Sequence, residues 1–174
     1  MSGASARSDA VVSGLLDWQV ETFVHVPSSH VAAIISGLRD HGVRDLMANR
    51  EEEAVGIAGG LALAGRRVAL VMQDNGFGNA LTALTTFTKA YHVPLPIIAN
   101  TRGGLGEYNS MIHSFSEGVP GMLAAAGIRC ERLGAAEPAQ LWRTTTCAVA
   151  EHAAMTRRPV ALLLDVMHPG SADR

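Results

Sequence analysis

The run Arg50-Glu51-Glu52-Glu53 sets three carboxylates directly ahead of Ala54-Val55-Gly56-Ile57-Ala58-Gly59-Gly60-Leu61-Ala62, a segment of small and apolar residues. A surface helix carries charge along one face, whereas this one carries it only at its start. Acids in a first helical turn complement the helix dipole and cap free amides, which accounts for one or two of them. It accounts less well for the bare helix behind. A carboxylate at that mouth can also hold a nitrogen heterocycle and control its proton.

A second group is Gln73-Asp74-Asn75-Gly76-Phe77-Gly78-Asn79. Glycine lets backbone approach a ligand closely, and a helix start can bind anions. The run is neither a GxGxxG fingerprint nor a Walker loop, so read alone it is better accounted for as a tight strand-to-helix turn. Pro27-Ser28-Ser29-His30 offers hydroxyls without a G-x-S-x-G elbow, and capping of the next helix explains them simply. Arg102, with Gly103, Gly104 and Gly106, opens the segment 100–117, which has no strong period. Such a loop suits function, and Arg102 can grip an anion bidentately or stand as a solvated charge. His113 in that segment is an acid or base by type. His25, His30 and His92 read as structural, and no histidine pair has zinc spacing.

Elements must bring these groups together. Apolar runs at 22–26, 43–48, 67–73, 95–99, 128–133 and 160–166 read as strands. Helical patterns fall at 8–18, 29–41, 52–64, 77–91, 118–126 and 137–156. Strands without alternation, each linked by a helix, imply a parallel sheet covered on both faces. The expected fold is a three-layer α/β/α domain with a six-stranded parallel sheet. Ligands in such sheets bind beyond the carboxyl ends of the strands. The first four strand ends are followed by polar residues and glycine; the last, 167–169, is poorer.

The 174 residues suffice for one domain, expected to have a core at about 9–166 and flexible termini. Only 17% of residues are charged, which suggests that partner chains cover part of the surface. A formal charge of −2 with no basic run argues against nucleic acid or an anionic membrane as partner. No signal-peptide core or membrane-length run is present, so a cytoplasmic location is expected. Cys130 and Cys147 form no CxxC pair and read as reduced, buried thiols.

Four segments together resemble the pyrimidine-binding (PYR) domain of thiamine-diphosphate enzymes, from about residue 9 to 165. They are Val26-Pro27-Ser28-Ser29, the run from Arg50 to Gly60, the run from Met72 to Ala80, and Arg102-Gly103. The likeness extends to the α subunit of sulfopyruvate decarboxylase and the matching half of phosphonopyruvate decarboxylase. In that family one glutamate, nine residues before a helix glycine followed by a bulky residue, contacts N1′ of the cofactor's aminopyrimidine. Glu51 meets this with Gly60-Leu61. The resemblance therefore implies that Glu51 is catalytic and cofactor-binding, with Pro27, Gln73, Asn75, Gly76, Phe77, Gly78 and Asn79 also at the cofactor. Ser29, Arg102 and His113 are the candidate substrate contacts, His113 also for proton transfer.

The implied reaction is decarboxylation of a small anionic 2-oxo acid, sulfopyruvate or phosphonopyruvate, to an aldehyde and CO2. The cofactor would carry the electrons, and the protein geometry and proton control. The family's diphosphate-binding (PP) domain holds Mg2+ and diphosphate through a Gly-Asp-Gly segment, and none occurs here. The resemblance thus implies a separate β subunit bearing the PP domain and Mg2+. The cofactor would be shared in an α2β2 or larger assembly, and no metal site is expected on this chain. Two alternatives stand beside it: a carboligase subunit of acetolactate-synthase type, and a non-catalytic α/β binding module.

Overall fold

The computed structural model describes residues 3–104 and 107–166. In chain order the elements are α1 (Gly3–Asp17), β1 (Thr22–His25), α2 (Ala32–Asp40), β2 (Arg44–Met47), α3 (Glu51–Leu63) and β3 (Val68–Gln73). A single 3-10 turn (Asp74–Gly76) then leads into α4 (Phe77–Ala83), which continues as a π-helical stretch (Leu84–Lys89). The rest are β4 (Leu95–Asn100), α5 (Ser110–Ala125), β5 (Arg129–Leu133), α6 (Ala139–Thr156) and β6 (Pro159–Leu164). The strands form one parallel sheet in the order β2-β1-β3-β4-β6-β5.

Side chains alternate across a strand, so each central strand feeds two cores. Phe23, Val71, Ile98 and Leu162 pack beneath α1, α2 and α6, against Leu15, Ile34, Leu38 and Trp142. Val24, Leu70, Met72, Ile97 and Leu163 pack beneath α3, α4 and α5, against Val55, Phe77, Leu84 and Leu123. Burial on both faces explains the unbroken apolar runs of β3, β4 and β6.

This layering opens a crevice. After β1 the chain passes to α2 on one face; after β3 it passes to α4 on the other. Between two such neighbours the carboxyl edge of a parallel sheet is left uncovered. Pro27, Ser28, Gln73 and the turn after it all lie there.

Helix α3 packs tightly on the π-helical stretch. A methyl on Gly59 would come within 2.4 Å of Phe87 Cε1, so the glycine is needed for contact. The threonine hydroxyls of that stretch bond back along the helix: Thr85 donates to Leu81 O, Thr86 to Thr82 O and Thr88 to Leu84 O. Their hydroxyls serve their own helix.

Two helices start earlier than the sequence pattern suggests. Helix α1 begins at Gly3 and is held by Arg7, which donates to Ala135 O at 3.0 Å and lies over the Trp142 ring. Helix α5 begins at Ser110, eight residues ahead of the expected 118. Asn109 caps it, Oδ1 accepting from the Met111 amide at 3.1 Å. The expected 118–126 covers only the second half of this helix, because Ser110 to Glu117 carry no strong helical period and read as the end of the loop. His113 therefore stands on a helix and not in a loop. The loop residue Gly106 and the C-terminal junction and tail at 167–174 lie outside the described residues.

Candidate functional site

The structure sorts the three acids of α3 into different tasks. Glu52 pairs with Arg50 Nε at 2.5 Å, and that cation holds its carboxyl below the usual carboxylate range. Glu53 Oε2 accepts from the Asn49 amide at 2.9 Å, closing the helix start. Glu51 alone reaches across to α4, where Oε2 accepts from Asn79 Nδ2 at 2.9 Å. Its stem lies over Gly76: a methyl there would stand 2.4 Å from Glu51 Cγ and 2.8 Å from Oε1. Gly76 thus forms the floor beneath Glu51, and Asn79 fixes one oxygen. Among the described residues no donor meets Oε1.

The turn after β3 is anchored from below. Phe77 is wholly buried, a contribution of about 2–3 kcal/mol. Gly78 stands against Phe115 of α5, whose Cζ lies 2.9 Å from where a Cβ would sit. Asn75 and Asn79 are left at the surface of the crevice. Across it, Ser28 Oγ donates to Gln73 Oε1 at 2.9 Å, tying the β1 exit to the β3 exit. The same Ser28 oxygen accepts from the His30 amide, so it stabilises a turn ahead of α2. Pro27 and Ser29 line the adjoining groove, where Ser29 Oγ lies 3.3 Å from His30 Nδ1.

Beyond β4 lies a second polar cluster. The Arg102 guanidinium donates through Nε to Glu107 Oε2 at 2.5 Å, and both side chains are largely buried, 9% and 13% exposed. This pair is shielded from water, unlike the exposed surface pairs, which contribute about 0–1 kcal/mol. Arg102 holds the Glu107 carboxyl down to about 2, and the carboxylate in turn raises the guanidinium. The Arg102 Nη groups meet no acceptor among the described residues. Arg102 lines a cavity of about 350 Å3 with Gly103, Ser116 and Arg132 and with the carboxylates Glu117 and Asp165. His113 Nε2 lies 3.1 Å from Glu107 O. Burial lowers the His30 pKa, and the Arg102 cation adds to that effect.

Asp74, just after Gln73, joins the two clusters. It is 1% exposed and accepts from the Arg102 amide at 2.9 Å and from Ser116 Oγ at 3.2 Å. Burial raises its pKa against these hydrogen bonds. Sequence patterning missed Asp74, Glu107 and Ser116 as site residues. For Asp74 there was a signal: a carboxylate ending the most apolar run in the chain.

The other histidines are placed structurally. His25 stacks on Phe23 and sits 2.8 Å from Asp45 without an aligned hydrogen bond, and burial lowers its pKa. Cys130 and Cys147 are half-buried and not fully buried; burial raises both, Cys130 to about 11. Among the described residues no group of three or more His, Cys, Asp or Glu could hold a metal. No described helix is long and apolar enough to cross a membrane.

Against this geometry the comparisons with known proteins are consistent. The thiamine pyrophosphate enzyme N-terminal TPP-binding domain family matches residues 6–127. The chain belongs to this family. The matched span runs from α1 through the end of α5 and contains Glu51, the turn after β3, Arg102 and His113. The chain is 36% identical over 101 residues to sulfopyruvate decarboxylase subunit alpha of Methanococcus maripaludis, covering 58% of this chain and 60% of that one. It is 32% identical over 102 residues to the subunit alpha of Methanothermobacter thermautotrophicus, covering 58% and 62%. The chain thus spans about three fifths of the length of these relatives. In structure it resembles a 2-oxoglutarate:ferredoxin oxidoreductase from Magnetococcus marinus, with a TM-score of 0.62 and 16% identity, over 95% of this chain and 29% of the other. That likeness bears on the fold alone. Thiamine diphosphate is the cofactor of the family, and the three-layer sheet is its fold.

Proposed function

We propose that this chain is the PYR-domain subunit of a thiamine-diphosphate-dependent 2-oxo-acid decarboxylase, and that Glu51 is its proton-control residue. One observation carries the reading. Of three adjacent acids, only Glu51 is turned over a glycine floor at the sheet crevice, with one oxygen fixed by Asn79. These residues suit the aminopyrimidine: a carboxyl with one bound and one open oxygen can hold a ring nitrogen and exchange a proton with it. Bound thiamine diphosphate supplies the electron sink for loss of CO2.

The protein's share is positioning. Glu51 orients the ring and moves its proton. Gln73, Asn75 and Asn79 border it with amide groups, while Pro27 and Gly76–Gly78 shape the walls. Arg102 offers its open Nη donors to the substrate anion, and His113 and Ser29 are the remaining candidates for substrate contact or proton transfer. The names of the relatives support sulfopyruvate as the 2-oxo acid.

Diphosphate and Mg2+ fall to a second subunit carrying the PP domain. The exposed faces of α3 and α4 fit such a partner. No charged residue occurs between Glu53 and Arg66, or between Asp74 and Lys89. Gly56 and Gly60 have open space above them, so another chain can approach the helix backbone.

Co-expression with a PP-domain partner tests the reading. The complex is expected to release CO2 from sulfopyruvate, dependent on thiamine diphosphate and Mg2+, while this chain alone releases little. Full turnover by the single chain would refute the divided site. A complex that binds cofactor yet decarboxylates no 2-oxo acid would refute the reaction.

A further inference from the structure

Asp74 is the only fully buried carboxylate among the described residues, and no Lys or Arg forms an ion pair with it there. A buried carboxylate without a paired cation is costly, so the hydrogen bonds that hold it must persist in the folded chain. Its donors come from two places. The Arg102 amide lies at the β4 exit and the Ser116 hydroxyl on α5, while Asp74 itself opens the turn that leads to Gly76. Ser116 is one helical turn from His113, on the same side of α5.

The packing around these bonds is close. Gly103 adopts a φ of 75°, and a Cβ on it would lie 3.0 Å from His113 Cα and 3.3 Å from Ser116 Cβ. Helix α5 therefore rests on the backbone just after Arg102. On its other side Asp74 is two residues from Gly76, the floor under Glu51. One carboxylate thus touches the segment carrying Arg102, the helix carrying His113 and the turn beneath Glu51.

We propose that Asp74 is a positioning residue: it locks the Arg102 segment and α5 onto the turn that supports Glu51, so that substrate anion and cofactor ring meet in register. This rests on the reading of Arg102 as the anion's contact. Asp74→Asn is the incisive variant. It keeps the size but replaces one acceptor oxygen with a donor that faces the Arg102 amide or the Ser116 hydroxyl. Ser116→Ala removes one tie and leaves the carboxylate in place.

Amide hydrogen exchange and steady-state kinetics would be measured on the full chain in complex with its PP-domain partner. In Asp74→Asn, exchange in 101–104 and 110–117 should accelerate by about 100-fold, while β3 stays protected. KM for sulfopyruvate should rise about 10-fold or more, with the affinity for thiamine diphosphate within about 2-fold. Ser116→Ala should shift the same readouts in the same direction by less. Unchanged exchange in those segments would overturn the proposal. So would parallel acceleration throughout the chain, which marks general destabilisation, or accelerated exchange with unaltered kinetics. If the wild-type complex turns over no 2-oxo acid, the assigned reaction fails, and the exchange measurements still decide whether Asp74 makes the tie.

Discussion

The carboxyl edge of the sheet holds two polar clusters built on different plans. Around Glu51 the chain keeps one group open: one oxygen is bonded to Asn79 and the other meets no donor among the described residues. Around Arg102 the charges are closed on one another, with Glu107 on the guanidinium and Asp74 on the backbone amide. The first is suited to receive a neutral ring that needs one carboxyl oxygen. The second is suited to hold a cation steady in a poorly hydrated place, where an unpaired charge would be costly. A proton-handling group and an anion-handling group thus have opposite needs, and a few strand ends supply both.

The largest expected effect comes from disturbing the open cluster without touching its acid. Gly76→Ala places a methyl 2.4 Å from Glu51 Cγ. The Glu51 stem is flexible enough to move aside, so the fold should survive while the carboxyl is displaced. Displacements of about 1 Å cost on the order of 100-fold in rate, and a loss of that size in kcat is expected with little change in melting temperature. A Gly76→Ala complex with normal kcat would remove the floor from the account.

A smaller effect separates the closed cluster. Arg102 holds the Glu107 pKa at about 2 in the folded chain, below its ordinary value of 4.5. A depressed folded-state pKa contributes stability that is complete above the unfolded value and is lost as pH falls toward the folded one. The wild-type chain should therefore lose stability relative to Glu107→Gln between about pH 4.5 and 2. Unfolding curves of the two chains across that window test this. Exposed pairs such as Arg50–Glu52 are common to both and cancel. Parallel curves would mean that the pair is not closed in solution.

Much of this was legible in the residues. The apolar runs gave six strands and the layer order because continuous burial leaves no alternation. The resemblance to the PYR domain singled out Glu51 from Glu52 and Glu53 through its spacing to Gly60, and the coordinates separate the three by what each touches. Only the second half of α5 was legible, since residues 110–117 carry no strong period, and the cap at Asn109 was the signal passed over. Asp74 and Glu107 were not legible as a group. Their partners lie 28 and 5 residues away, and only the packing of α5 on Gly103 brings them together. A local motif records a turn; it does not record which distant amide a carboxylate will meet.

The central claim is that one of three adjacent acids does the chemistry. Glu51→Gln, Glu52→Gln and Glu53→Gln would be assayed side by side for CO2 release from sulfopyruvate, each in complex with the PP-domain partner at saturating thiamine diphosphate. Loss of an acid–base group costs about 100-fold or more, and only Glu51→Gln should show it. Glu52→Gln and Glu53→Gln should stay within about 3-fold of the wild type, because their carboxyls are engaged with Arg50 and the Asn49 amide at the helix start and not at the glycine floor. Near-normal turnover in Glu51→Gln, or an equal loss in all three, would contradict the account.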